Sequence, residues 1–154
     1  MINVINGETQ SGKTTRLVGF YNEWRRGDGY ALVTVETNGI YTGQDIVRLS
    51  DKQYMPFSRV QGFIPEDWDE GETFDRFSFS QKGMNFAKDI MLSIVKKRLP
   101  VAFIDDIGPL EISGHGVHKE FSLIIRAVPT VFVTVRNDIL PQFVSKYIFR
   151  DKKN

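Results

Sequence analysis

The chain contains no cysteine, which removes disulfides, thiolate metal sites and thiol nucleophiles and fits a reducing compartment such as the cytoplasm. Histidine is nearly absent too, with only His115 and His118. Their i, i+3 spacing suits a metal, but no acidic or sulfur ligand accompanies them and glycines flank them, so they read as a solvated helix start rather than a zinc site. No apolar run reaches spanning length, and residues 1–6 lack a basic stretch followed by an apolar one, so neither a membrane partner nor a signal peptide is expected. An excess of one charge is also missing. The formal net charge is +1, so no global field recruits a large nucleic-acid footprint, and an anionic ligand must be captured locally.

What remains is an ordinary globular balance, 41% hydrophobic and 25% charged over 154 residues, the size of a single domain spanning 1–154. Ile2, Val4 and Ile5 predict a short buried strand. A glycine loop follows, then a helix from Lys13 to about Arg26 with Leu17, Val18, Phe20, Tyr21 and Trp24 as its apolar stripe. The glycines of Arg26-Gly27-Asp28-Gly29 read as its terminator. Tyr30 to Glu36 and Thr42 to Leu49 read as a hairpin about the Asn38-Gly39 turn, with a third strand over Tyr54 to Val60. Residues 61–73 mix Gly, Pro and acids without periodicity and read as an exposed loop anchored by Trp68.

Phe74 to Phe79 alternates as a strand does. Ser80 to Arg98 predicts a long helix with Phe86, Ile90, Ile94 and Val95 on one face, closed by Pro100. Lys96, Lys97 and Arg98 suit its C-terminal dipole end. Val101 to Ile104 reads as a central strand presenting Asp105-Asp106 at its carboxyl end. A helix over 117–127, a strand from Thr130 to Val135 and a helix from about Asn137 to Tyr147 follow, the last capped by Asn137 or Asp138. Residues 150–154 read as a frayed charged terminus. Alternating strands and helices predict an α/β fold: a mostly parallel sheet flanked by helices, with the hairpin as an antiparallel insert at its edge.

GETQSGKT fits the phosphate-loop pattern GxxxxGK[ST], with the required strand before and helix after. The candidate phosphate-binding residues are Gly7, Glu8, Thr9, Gln10, Ser11, Gly12, Lys13, Thr14 and Thr15. The glycines let successive amide hydrogens turn toward phosphate oxygens, and the helix N-terminus adds its positive dipole end. In this pattern Lys13 reaches the β and γ phosphates and the Thr14 hydroxyl ligates magnesium. Thr15 either touches the α phosphate or simply continues the helix. A triphosphate site also needs a carboxylate on a neighbouring strand to hold the hydrated Mg2+, and Asp105 is the candidate. Asp106 is placed to orient a water or take its proton. Glu111, beyond Gly108-Pro109, returns to the same pocket as a second carboxylate or pairs with a surface cation. Arg136, at the carboxyl edge of the sheet, stabilises transition-state charge or pairs with an acid.

NVINGETQSGKTT, the segment NGIYTGQDIVRL and VAFIDDIGPLEI together resemble the small nucleoside-triphosphatase family described from thermophiles, the cancer-related nucleoside-triphosphatase family. The likeness spans most of the chain, and IDDIGPLE with the helix from Phe86 to Lys97 is its more discriminating part. The resemblance implies a phosphate-loop (P-loop) NTPase fold, RecA-like or kinase-like. It also implies slow hydrolysis of ATP, GTP and other nucleoside triphosphates to diphosphate and phosphate. Asp106 stands where the family usually carries glutamate, which retracts the carboxylate by one methylene at a distance where geometry matters to rate. The leading expectation is therefore a Mg2+-dependent nucleoside-triphosphatase. The alternatives are a nucleotide or small-molecule kinase whose acceptor is recognised by residues 36–73, and a nucleotide-dependent binding module with weak turnover and an undefined protein partner.

Overall fold

The structure is a computed structural model and describes residues 1–149; the charged terminus expected to fray lies outside the described residues. In chain order the strands are β1 Ile2–Gly7, β2 Gly27–Thr37, β3 Ile40–Arg48, β4 Tyr54–Val60, β5 Glu70–Phe74, β6 Phe77–Ser80, β7 Val101–Ile104 and β8 Thr130–Arg136. The helices are α1 Lys13–Trp24, α2 Gln81–Lys96, α3 Pro109–Ile112, α4 His118–Ala127 and α5 Leu140–Phe143. The eight strands form one sheet in the order β1-β8-β7-β2-β3-β4-β6-β5. Its first four strands pair in parallel and the other four antiparallel. The α/β P-loop architecture is as expected, but the insert is larger than a hairpin: four strands extend the sheet.

Alternation along β7 builds both layers of the core. Ala102 and Ile104 face the cluster formed with Ile90, Ile94, Phe121 and Ile124 of α2 and α4, whereas Val101 and Phe103 face Leu17 of α1. On the α1 side Phe103 stacks on Phe132 at 5.3 Å between centroids, and Phe20 covers Phe132 at 4.8 Å. With both faces covered, an uninterrupted apolar run is what a central parallel strand requires.

Several boundaries differ from the sequence reading, each for a physical reason. Helix α1 ends at Trp24, with Arg25 in the left-handed region at φ 48°, and Gly27 and Gly29 belong to β2 rather than to a terminator. A Cβ at Gly27 would lie 1.9 Å from the Val101 carbonyl oxygen, and one at Gly29 1.8 Å from that of Phe103. These glycines let β2 lie against β7. Between them the buried Asp28 accepts bonds from the Arg48 guanidinium at 2.7 Å, from the Ser50 amide and hydroxyl, and from the Gly29 amide.

The expected single strand from Phe74 to Phe79 is two strands turning at Asp75, whose φ is 55°. The irregular stretch stops at Asp69, because Glu70–Phe74 pairs with β6. Trp68 is the anchor expected of it: its indole donates to Ser78 Oγ at 2.9 Å beneath the Arg59 guanidinium. Ser80 caps α2 by accepting from the Gly83 amide at 3.0 Å. The region from Asn137 is not one capped α-helix but a 3₁₀ turn, α5 and a π-helical turn in succession, with no side-chain cap. Asn137 and Asp138 are engaged elsewhere, as described below.

Candidate functional site

Strand β1 delivers the chain into the loop at Gly7, and α1 begins at Lys13. Gln10 and Gly12 turn the loop with φ of 59° and 87°, and the Ser11 amide closes it on the Glu8 carbonyl at 3.2 Å. Lys13 Nζ donates to that same carbonyl. Asn137, at the end of β8, clasps the loop from outside. It accepts from Asn6 Nδ2 at 2.8 Å and donates to the Glu8 carboxylate at 3.0 Å, which is why it does not cap the helix after it. Thr9, Gln10, Lys13 and Thr14 line a cavity. Thr15 points elsewhere: it is exposed on α1 and outside that lining.

Asp105 follows β7, and β7 is not a neighbour of β1: β8 lies between them. The expected adjacency of loop strand and acidic strand is therefore corrected, and the intervening strand brings a residue the sequence reading did not single out. Register pairs Ile104 with Val133 of β8 and with Tyr30 of β2, so the next residue along β7 reaches groups on both sides. Thr134 Oγ1 donates to Asp105 Oδ1 at 2.6 Å, and the Leu32 amide donates to Oδ2 at 2.8 Å. Across the gap the Thr14 hydroxyl donates to the same Oδ2 at 2.9 Å. The carboxylate is 2% exposed. Burial pushes its pKa up to about 6 against the lowering effect of the Thr134 and Leu32 bonds.

Asp106 leaves the strand at once, with φ 57°, instead of continuing the pleat. Its amide donates to Thr134 Oγ1 at 2.6 Å, so one hydroxyl fixes both aspartates. Burial raises the Asp106 pKa, opposed by the positive charges of Arg136 and Lys13. Arg136 lines the cavity and is paired with Asp138 at 3.2 Å.

Glu111 is not a surface ion-pair partner. It sits on α3, 7% exposed, and its two oxygens accept from the Gly108 amide at 2.9 Å and the Val117 amide at 3.2 Å. Burial, only partly offset by those amides, raises its pKa to about 7. Tyr30, 2% exposed, lines the same cavity. Burial and the charges of Glu111, Asp105 and Asp106 hold its phenol well above the usual range. Neither histidine is simply solvated: His115 meets the Glu72 carboxylate at 3.1 Å and His118 meets the Tyr147 hydroxyl at 2.8 Å.

The structure thus brings Lys13, Thr14, Asp105, Asp106, Glu111 and Arg136 to one cavity of about 610 Å³. Thr134 and Tyr30 join them unforeseen. The signal for Thr134 was its hydroxyl inside the otherwise apolar run VFVTV; Tyr30 carried none. Among the described residues no three His, Cys, Asp or Glu side chains gather into a metal-binding cluster. The Thr14 hydroxyl and Asp105 carboxylate are hard oxygen donors of the kind magnesium takes when phosphate oxygens and water complete its shell. Nor is any helix of the described residues long and apolar enough to cross a membrane.

No curated protein sequence matches this chain. The solution structure of a human cancer-related nucleoside triphosphatase matches it with a TM-score of 0.62 at 21% identity, over 87% of this chain and 75% of that one, a likeness of fold. A sequence model of the NTPase family matches residues 3–153. With nearly its whole length matched, the chain belongs to the NTPase family, a family of nucleotide-binding hydrolases.

Proposed function

We propose that the chain is a Mg2+-dependent nucleoside-triphosphatase that hydrolyses ATP, GTP and other nucleoside triphosphates to diphosphate and phosphate. The observation that carries this reading is the 2.9 Å bond from Thr14 to a buried Asp105. It joins the end of a phosphate loop to a carboxylate held from two further sides. The loop amides and the N-terminus of α1 cradle the phosphates, and Lys13 neutralises charge on the β and γ groups. Thr14 and Asp105 would hold Mg2+, which when bound would polarise the phosphate oxygens. Asp106 orients the attacking water, and Arg136 exchanges Asp138 for charge developing on the transferred group. Glu111 is a second carboxylate behind Asp106. The cysteine-free composition favours the cytoplasm as the place of action.

The test is phosphate release from ATP and GTP with Mg2+ or with EDTA, for wild type and Asp105→Asn. Release should need the metal and fall on the order of a hundredfold in the variant, the loss expected when a ligand of the transition-state clamp is removed. Release that persists in EDTA, or that Asp105→Asn leaves unchanged, would overturn the reading.

A further inference from the structure

Hydrolysis needs room beside the γ phosphate for one water, about 30 Å³ of liquid. The cavity, which takes in the phosphate-side residues Lys13, Thr14 and Asp105 as well, offers about 610 Å³, within the range of roughly 300–1,000 Å³ typical of small-molecule sites. Besides Lys13, Thr14 and the two aspartates, Tyr41, Phe57, Phe74, Phe77 and Phe79 line it, and Tyr41 meets Phe77 and Phe57 meets Phe79 edge to face. Those aromatics come from β3, β4, β5 and β6, the antiparallel extension, which contributes nothing to the phosphate loop or the acids. Tyr30, 2% exposed, lines the same cavity. Its phenol shares the electrostatic surroundings of Glu111, Asp105 and Asp106.

We propose that the aromatic half of this cavity is an acceptor site: it binds a small uncharged molecule with a flat apolar body and a hydroxyl group, which receives the γ-phosphoryl group. The inference rests on the nucleotide-binding reading above. With Lys13 and Thr14 at the β and γ phosphates, the nucleoside trails past exposed Thr15 and leaves the aromatic half free for a second substrate. The acceptor's ring lies among Tyr41, Phe77 and Phe79, and its hydroxyl reaches Asp106, with Tyr30 and Glu111 bonding its polar edge. Asp106 takes the hydroxyl proton while the oxygen forms a bond to the γ phosphorus. The bond from that phosphorus to the β–γ bridging oxygen breaks, and the electron pair leaves with the nucleoside diphosphate. The products are a phosphate monoester, the diphosphate and one proton. In the absence of an acceptor, water takes its place.

The test uses the intact chain with ATP, Mg2+ and four probes: benzyl alcohol, 2-phenylethanol, 3-(hydroxymethyl)pyridine and thymidine. Saturation-transfer NMR reads probe binding, and 31P NMR reads monoester against inorganic phosphate. We expect at least one probe to bind and to yield ester faster than phosphate is released. Tyr30→Phe and Phe77→Ala should each lower the ester-to-phosphate ratio about fivefold or more, the effect of one buried contact. The ratio is insensitive to the amount of folded protein, so lost stability would not mimic this result. Phosphate release with no ester from any probe overturns the acceptor site and leaves the hydrolytic reading standing. Absence of ATP binding, read by thermal shift, removes the nucleotide reading and the acceptor site with it.

Discussion

Thr134→Val removes one oxygen and keeps the shape of the side chain, so its effect isolates the hydroxyl that ties the two aspartates together. That hydroxyl donates to Asp105 Oδ1 at 2.6 Å and accepts from the Asp106 amide at 2.6 Å, and Thr134 is 1% exposed. Losing a bond to a charged acceptor costs about 1.5–3 kcal/mol, and leaving a buried amide unpaired about 1–3 kcal/mol. Partial relaxation brings the expected destabilisation to roughly 3 kcal/mol. The pH dependence fixes the sign. The Asp105 pKa is raised to about 6 from 3.8, and Thr134 is the strongest influence holding it down. Its removal drives the value higher, so the folded variant keeps a proton that the unfolded chain gives up. Stability of the variant must fall as pH rises, over a window extending above 6. Urea unfolding of the nucleotide-free protein should therefore show a larger gap between wild type and variant at pH 8 than at pH 5. A gap below about 0.5 kcal/mol at pH 8, the range of ordinary surface substitutions, would refute the bridging role.

Three further outcomes follow from the same geometry. The Glu111 pKa, raised to about 7 from 4.5, means the folded state holds its proton more tightly; wild type should lose on the order of 3 kcal/mol relative to Glu111→Gln between pH 4.5 and 8, read by urea unfolding. A pH-independent difference would contradict this. Gly29→Ala puts a methyl 1.8 Å from the Phe103 carbonyl oxygen, so thermal unfolding should show a loss of about 3 kcal/mol or more, as forced overpacking gives; an unchanged melting temperature would deny the close approach of β2 to β7. Asp106→Glu lengthens the side chain by one methylene, and phosphate release should rise several-fold, on the order of tenfold, with little change in nucleotide affinity. A slower variant would mean that Asp106 is already at its working distance.

Local chemistry made much of this site legible in the sequence. The phosphate loop is contiguous, and VAFIDD announces both a central strand and the acids at its end. Asn38-Gly39 forms the hairpin turn with φ of 52° and 78°, the two positive values that make this dipeptide diagnostic. What stayed hidden depends on contacts between distant segments. Thr134 matters because β8 is inserted between β1 and β7, an arrangement of strand order that no local pattern encodes. Tyr30 and Glu111 were legible as a strand residue and an acid, but their depth comes from α3 and the antiparallel strands closing over them. The glycines around Asp28 were misread because a glycine that ends a helix and one that admits a neighbouring strand look alike until the neighbour is in place. Asn137 was misread similarly: a capping residue type at a helix start, spent instead on the loop 129 residues away.

The most direct trial of the account is steady-state phosphate release from Mg·ATP and Mg·GTP by wild type beside Lys13→Ala, with circular dichroism confirming that both are folded. Lys13 lines the cavity next to the loop carbonyl it holds, so its removal should cost the phosphate loop its cation. The account predicts release by wild type and a drop on the order of a hundredfold or more in the variant. Equal release by the two folded proteins would contradict it.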